Sequence, residues 1–196
     1  MKNKTDLRVI KTYTALTNAF YELLGKKKFE EITVNELCNL AYVRRATFYK
    51  HFADKYEFFI FIVRSLFEQY SGTYTFEEGQ IKPLSFYLSI VENFLHFLTE
   101  RETIVKLLSE SSMYSVLMNI FTEEISTEVT EYLMEDEKNG AVFPASAEIT
   151  ARFFTGAIIN CIKYWFVSGQ ELPEQELLEQ LQALITSFRP PLPVSF

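Results

Sequence analysis

Cysteine, glycine and histidine are scarce in this chain of 196 residues, and their scarcity excludes several kinds of protein. Cys38 and Cys161 lie far apart, each in an apolar helical pattern, so a disulfide framework is excluded and both are expected to be buried. The six glycines form no GxG pattern or phosphate-binding loop. His51 and His96 suggest neither a metal-ligand cluster nor a Cys/His pair. We therefore expect no enzyme activity, no cofactor and no metal ion.

Long apolar runs are also missing. The longest dense run, residues 58–63, falls far short of the roughly 18 to 20 residues that span a bilayer. The beginning of the chain lacks the apolar stretch of a signal peptide. We expect a cytoplasmic protein.

The composition is instead that of a helical globular chain, with 48% apolar and 16% aromatic residues. Apolar residues recur at helical spacing, and strand-like alternation with turn glycines is absent. The pattern predicts an all-α fold of about nine helices without internal repeats. Two short helices are expected within 33–52, and longer ones at 6–24, 55–70, 83–99, 102–110, 112–138, 147–168 and from Pro173 onward.

The first short helix has a marked beginning. Thr33 followed by Glu36 forms a capping box, in which each side chain accepts a hydrogen bond from the other residue's amide. A single apolar stripe follows at i, i+3, i+4 and i+7, made of Val34, Leu37, Cys38 and Ala41.

After a break at Tyr42, a second short helix covers 44–52. Val43, Phe48 and Phe52 are its inward positions. Two short helices joined by a tight turn, the second one exposing cations, are typical of a DNA-binding helix-turn-helix. The outward positions are Arg44, Arg45, Thr47, Tyr49, Lys50 and His51.

Charge is divided unevenly along the chain. Residues 1–55 carry a net charge of +5 and residues 56–196 a net charge of −12. A basic segment on an acidic protein presents one face to DNA, because the acidic part repels the phosphates. We predict a DNA-binding domain at 1–55 and a helical effector-binding and dimerisation domain at 56–196.

The segment 33–55 resembles the DNA-binding domain of the TetR family of bacterial transcriptional regulators. Ile32, Thr33, Val34 and Leu37, followed by the run TFYKHFADK over 47–55, match the family pattern nearly position for position. The segment 154–169 resembles the penultimate helix of one branch, which includes the dihydroxyacetone-kinase regulators. The resemblance implies a homodimer that binds an inverted-repeat operator, and we expect a repressor.

Two positions depart from the family pattern. Tyr42 stands where many relatives have glycine, which predicts a strained or altered turn. Arg44 stands where many have a capping Ser or Asn, and arginine cannot accept the amide hydrogen bonds that a cap needs. We expect Arg44 to contact DNA instead, at a phosphate or a guanine edge.

The other contacts to DNA follow from side-chain chemistry and from the resemblance. Arg45 is the first choice for binding guanine and Lys50 the second, while Thr47 can contact a phosphate or a thymine methyl group. Thr33 at a helix N-terminus is expected at a phosphate. The resemblance assigns backbone contacts to Tyr49 and His51, and we expect Lys55 at a phosphate too.

The domain at 56–196 is expected to dimerise and to sense an effector. The last two helices carry the predicted dimer surface: Gly156, Ala157, Asn160, Leu177, Leu181, Leu184, Ile185 and Phe188. In the family, the preceding helices surround a ligand cavity, which implies Phe94, His96, Phe97, Tyr114, Met118, Phe121 and Phe154. His96, Tyr114 and Asn160 would orient an apolar or aromatic effector of unknown identity.

Several alternatives stay open at this stage. An aromatic stripe at helical spacing can be core rather than a ligand site. The effector can be a protein partner instead of a small molecule, and the chain could be a helical adaptor or co-activator.

Overall fold

A computed structural model of the chain describes residues 7–70 and 79–188, apart from the side chains of 69, 70 and 188. The predicted all-α architecture is confirmed: this part of the chain contains nine α-helices, one 3-10 turn at Phe29–Glu31 and no strand. The helices are α1 Leu7–Leu24, α2 Val34–Leu40, α3 Arg45–His51, α4 Lys55–Tyr70, α5 Leu84–Thr99, α6 Glu102–Ser109, α7 Met113–Lys138, α8 Ala147–Val167 and α9 Glu174–Phe188. Residues 1–6, 71–78 and the Pro-rich segment 189–196 lie outside the described residues.

The chain forms two compact units. The head unit consists of Met1–Glu68 and Arg101–Leu117, and the body unit of Gln69–Glu100 and Met118–Phe196. The head unit therefore contains most of α4 and all of α6 in addition to the helix-turn-helix. The predicted functional division after residue 55 stays a prediction.

The head unit is built on a core of phenylalanines. Phe20 of α1 contacts Phe58 of α4 edge to face, with ring centroids 6.2 Å apart, and Phe48 of α3 contacts Phe58 at 5.7 Å. Phe29 and Phe59 add another edge contact at 5.4 Å. All five rings are buried. Because each aromatic ring removes a large apolar area from water, this core fixes α3 against α1 and α4.

The predicted beginnings of the short helices are largely confirmed. Thr33 and Glu36 form the reciprocal capping box of α2. At α4, Asp54 accepts hydrogen bonds from the amides of Tyr56 and Glu57, as a cap does. The Glu57 carboxylate accepts from the amide of Ala53, the residue before this cap.

The predicted helix ends are correct within a residue or two. Gly25 follows the last residue of α1, but its backbone does not adopt the left-handed conformation of a C-cap glycine. Gly169 does adopt it, with φ of +85°, and the following amide of Gln170 bonds to the carbonyl of Trp165. Pro173 precedes α9 by one residue, and its carbonyl accepts the hydrogen bond from Leu177.

The body unit packs α5, α7, α8 and α9 around an apolar core. Its fully buried members include Leu95, Phe121 and Ile162. The indole nitrogen of Trp165 donates to the carbonyl of Leu172 at 2.6 Å, which fixes the connection between α8 and α9. Cys161 in α8 is only half-buried, whereas Cys38 in the head unit is buried as predicted. No helix in the described part of the chain has the length and apolar character needed to cross a membrane.

Candidate functional site

The turn between α2 and α3 contains the strained residue that the sequence predicts. Tyr42 has φ of +54°, and its amide donates to the carbonyl of Asn39 while that of Val43 donates to Cys38. These two hydrogen bonds define a Schellman motif, whose left-handed position glycine usually occupies. The Tyr42 side chain is 97% exposed. A tight turn with an exposed aromatic tip therefore leads into α3.

Helix α3 presents its cations to solvent. Arg44 occupies the N-cap position, and its side chain makes no capping hydrogen bond. Arg44, Arg45 and Lys50 are all exposed, while Thr47 is half-buried. The guanidinium of Arg45 lies 5.7 Å from the centroid of the Tyr49 ring, one helical turn away. Such a cation–π contact restricts the Arg45 side chain while leaving its donors available.

His51 is held in place from α1. The hydroxyl oxygen of Tyr13 lies 3.2 Å from Nδ1 of His51, and the two rings meet edge to face at 5.3 Å. When Tyr13 donates to Nδ1, the imidazole proton is on Nε2, where it can be donated to another acceptor. Tyr13 was not predicted as a functional residue, since only the fold brings α1 next to the end of α3.

Thr33 is fully occupied by its capping box. Its hydroxyl donates to Glu36 at 2.7 Å and accepts from the Glu36 amide. Lys27 also donates to the Glu36 carboxylate. The hydrogen bond from Lys27, followed by those from Thr33, lowers the pKa of Glu36 to about 2, so the group is ionised at neutral pH. An ionised carboxylate beside Thr33 disfavours phosphate there, which differs from the prediction.

Lys55 also differs from its predicted role. Its ammonium donates to the carbonyls of Phe29, Glu30 and Ile32 at 3.0, 2.8 and 2.8 Å. An ammonium has three donors, and all three are therefore engaged. Desolvation by burial lowers the pKa of Lys55. The residue ties the beginning of α4 to the 3-10 turn, and its ammonium keeps no donor for a phosphate.

The predicted ligand residues are only partly brought together. Phe94 and Phe154 line a cavity in the body unit. Phe97, Met118 and Phe121 are buried in the core but do not line it, because they lie one turn or more beyond the cavity along α5 and α7. Tyr114 belongs to the head unit and is buried there, which raises its pKa to about 12. His96 and Asn160 are exposed, and His96 pairs with Glu100.

The cavity itself has a volume of about 130 Å³. Its wall comes from α5, α7, α8 and α9 and from the segment between α7 and α8. Most of this lining was not predicted from the sequence, because helical spacing does not show which buried residues border a void. The lining includes Tyr87, Val129, Leu133, Phe143, Thr155 and Ile159.

Beside the cavity lies a cluster of charges in which Lys82 and Asp136 are buried and Glu135 is half-exposed. The side chain of Lys82 is 1% exposed and pairs with Glu135 at 2.6 Å and with Asp136 at 3.4 Å. Asp136 also accepts from the Lys82 amide and, at 2.6 Å, from the hydroxyl of Tyr87. The Asp136 carboxylate thus receives the partners that a buried charge requires.

The predicted dimer residues divide into two groups. Leu177 and Leu181 are buried within the body unit itself, where α9 packs on α5. Ile185 is half-buried and lines the cavity. Some of the predicted dimer residues on α9 therefore belong to the core of the subunit. Ala157, Asn160 and Leu184 are exposed, Gly156 is half-buried with open space around it, and the side chain of Phe188 lies outside the described residues.

An exposed apolar stripe runs along α8. Successive members lie four, eleven and three residues apart, so they share one face of the helix with Ala157 and Asn160. Tyr164 is the most exposed of them, at 74%. The sequence pattern contained this signal, but the buried stripe of α8 obscured it. The stripe consists of Ile149, Phe153, Tyr164 and Val167.

The fold and the helix-turn-helix define a class of protein, a helical transcriptional regulator. A family model described as "Transcriptional regulator C-terminal region", one of those for TetR proteins, matches residues 87–187, about half of the chain. The chain belongs to the TetR family of transcriptional regulators, which are not enzymes.

Individual relatives agree with this assignment. An uncharacterized HTH-type transcriptional regulator of Bacillus subtilis (strain 168), YxbF, is 39% identical over 57 residues, which make up 29% of this chain and 15% of the length of YxbF. The fold is similar to that of a TetR-family regulator from Syntrophomonas wolfei str. Goettingen, with a TM-score of 0.69, 15% identity and coverage of 94% of this chain and 98% of that one. It is also similar to the dihydroxyacetone kinase operon activator DhaS, with a TM-score of 0.58, 18% identity and coverage of 92% and 99%.

Proposed function

We propose that this protein is a cytoplasmic repressor that binds an inverted-repeat operator as a homodimer. The observation that carries the proposal is helix α3, which follows a tight turn, rests on the phenylalanine core and exposes Arg44, Arg45 and Lys50. A rigid helix with exposed cations at its N-terminal end suits insertion into the major groove. The net charge of +5 over residues 1–55 supports approach to DNA by this part of the chain.

Contacts in the proposed interface follow from the surroundings of each side chain. Arg45 is assigned to guanine, because its forked donors match the O6 and N7 acceptors and Tyr49 limits its motion. Arg44 and Lys50 reach phosphate or a second base, and Thr47 a phosphate or a thymine methyl group. Tyr49 and His51 are assigned to phosphates, with His51 positioned by Tyr13.

Dimerisation is assigned to the exposed stripe of α8 together with Leu184 of α9. Four large apolar side chains on one helix face are costly to leave in water, and a second copy of the same face would cover them. Gly156 supports close approach, because a Cβ atom added there would meet nothing within 4 Å. Two-fold pairing requires a two-fold operator.

Release from DNA is assigned to an effector in the cavity of the body unit. Such a ligand acts by preferring one of two conformations of the protein, which changes the population that can bind DNA. Helix α7 supports this assignment: it begins in the head unit, and its later turns line the cavity through Ile125, Val129 and Leu133.

The experiment that tests the proposal compares Arg45→Ala with Lys138→Ala. DNA sequences bound by the parent protein are first selected from a random library, and affinities are then measured by fluorescence anisotropy. Loss of a bidentate contact to guanine should weaken binding by at least tenfold and relax the preference at one position of each half-site. Lys138 is an exposed cation at the end of α7, and its loss should change the affinity little. Equal effects of the two substitutions would contradict the proposal.

A further inference from the structure

The cavity in the body unit is small. Its volume of about 130 Å³ is close to that of an engineered cavity of about 150 Å³ that stays dry and holds benzene. A long acyl chain would need considerably more room. The size therefore favours a ligand with a single ring or of comparable bulk.

The wall of the cavity carries no charge. Among the described residues that line it, none is Lys, Arg, His, Asp or Glu. A carboxylate entering this space would lose its hydration and find no cation to pair with, which strongly disfavours its burial. The wall thus favours an uncharged ligand.

The charges next to the cavity also favour an uncharged ligand over an anion. Lys82 is the nearby cation, but Glu135 and Asp136 both pair with it, so the three groups together carry a net charge of −1. Tyr87 lines the cavity, and its hydroxyl already donates to Asp136. The cluster therefore offers an anion neither a free cation nor a hydroxyl donor.

Thr155 supplies a polar contact in this wall. Its side chain is 5% exposed and lines the cavity, and in the described part of the chain no group forms a hydrogen bond with its hydroxyl. A ligand that fills the cavity would cover this hydroxyl, and a ligand that provides a hydrogen-bond partner avoids the cost of leaving it unpaired. Thr150 also lines the cavity, and its hydroxyl donates to the carbonyl of Ala145 at 3.4 Å.

We propose that the effector is a small, uncharged molecule with one aromatic ring and one hydrogen-bonding group that bonds to the hydroxyl of Thr155. Carboxylates of the same shape are rejected. This inference rests on the proposed function only in treating the occupant as an effector. Binding to the cavity is a separate property that can be measured without DNA.

Isothermal titration calorimetry with two probes of matched shape tests the inference. At pH 7.5, 4-methylbenzyl alcohol should bind at least tenfold more tightly than 4-methylbenzoate, which is ionised. Thr155→Val keeps the shape of the side chain and removes the hydroxyl, so it should lower the affinity for the alcohol about tenfold. Thr155→Ser keeps the hydroxyl and should retain most of the affinity. Thr127→Val, at an exposed position of α7 that does not line the cavity, should bind as the parent does.

Two results would overturn the inference. One is equal or tighter binding of the benzoate, and the other is unchanged affinity of Thr155→Val for the alcohol. Failure of the alcohol to bind would also overturn it, while operator binding, measured separately by anisotropy, would still stand. Circular dichroism of each variant confirms that the fold is retained.

Discussion

At the scale of single residues, Tyr42 holds a backbone conformation that is costly for a side chain of its size. The left-handed region costs an L-residue roughly 1–2 kcal/mol. The Tyr42 ring lies almost wholly in solvent, so no packing inside the subunit offsets this cost. A strained and exposed residue beside a recognition helix suggests selection for a contact outside the subunit.

Replacing Tyr42 with glycine should stabilise the isolated protein. Relief of strain exceeds the roughly 0.5–1 kcal/mol of extra backbone entropy that glycine loses on folding, so a net gain of about 0.5–1 kcal/mol is expected. Thermal unfolding should show a rise in Tm of roughly 1–3 °C. Tyr42→Ala is the matched control, because it removes the ring but keeps the strain, and it should give no gain. A lower Tm for the glycine variant would refute this explanation.

Lys55 is expected to be needed for stability rather than for DNA binding. Lys55→Met keeps the length of the side chain but removes three hydrogen bonds to main-chain carbonyls, so it should lower the free energy of unfolding by about 1–3 kcal/mol. The slope of log affinity against log salt should stay unchanged, whereas each lost phosphate contact reduces it by about 0.9. A reduced slope for Lys55→Met would show that Lys55 contacts a phosphate and would contradict this prediction.

At the scale of secondary-structure elements, Glu30 joins the 3-10 turn to the beginning of α7. Its carboxylate accepts hydrogen bonds from the hydroxyls of Ser111 and Ser112 and from the amide of Ser112, just before the first residue of the helix. Hydrogen bonds from its own backbone amide and from the two serines lower the pKa of Glu30 to about 2. A negative charge at this end also suits the helix dipole.

The low pKa of Glu30 predicts a dependence of stability on pH. Because the pKa in the folded state lies below the ordinary value of 4.5, the contribution of Glu30 is complete above about pH 5 and is lost as the pH falls toward 2. The difference in unfolding free energy between the parent and Glu30→Ala should follow that course in urea titrations. Glu31→Ala, at an exposed neighbour, serves as the control. A difference that is independent of pH between 2 and 6 would contradict the assignment.

The ends of the helices were predictable because they depend on local chemistry. The capping box at Thr33, the strain at Tyr42 and the stop at Gly169 each involve residues close together in sequence. The role of Lys55 was not predictable, since its partners precede it by more than twenty positions. For the same reason the sequence could not show that Leu177 packs inside the subunit, or that His96 faces away from the cavity.

At the scale of the whole molecule, the exposed stripe of α8 predicts how two copies associate. The double variant Phe153→Glu/Tyr164→Glu places two charges on the stripe and should yield a monomer in light scattering at micromolar concentration, because each carboxylate would have to lose its hydration in the interface. Met134→Glu, at a half-exposed apolar residue of α7 outside the stripe, should remain dimeric. A monomeric parent protein, or a dimeric double variant, would contradict the proposed interface.

The uneven distribution of charge also belongs to this scale. Residues 1–55 are basic and the rest of the chain is acidic, so binding to DNA should depend on salt although the protein as a whole is acidic. Two heads on one dimer would each occupy a half-site, and linking them raises the effective concentration of the second head. The inverted repeat should therefore bind much more tightly than either half-site alone.

Anisotropy titrations of the parent protein on the selected inverted repeat and on one isolated half-site, over a range of salt concentrations, test the central claim most directly. The expected result is two subunits per repeat, at least a hundredfold preference over the half-site, and an affinity that falls steeply with salt. Equal affinity for the repeat, the half-site and unrelated DNA, or binding that is independent of salt, would contradict the claim that this protein is a dimeric, operator-binding regulator.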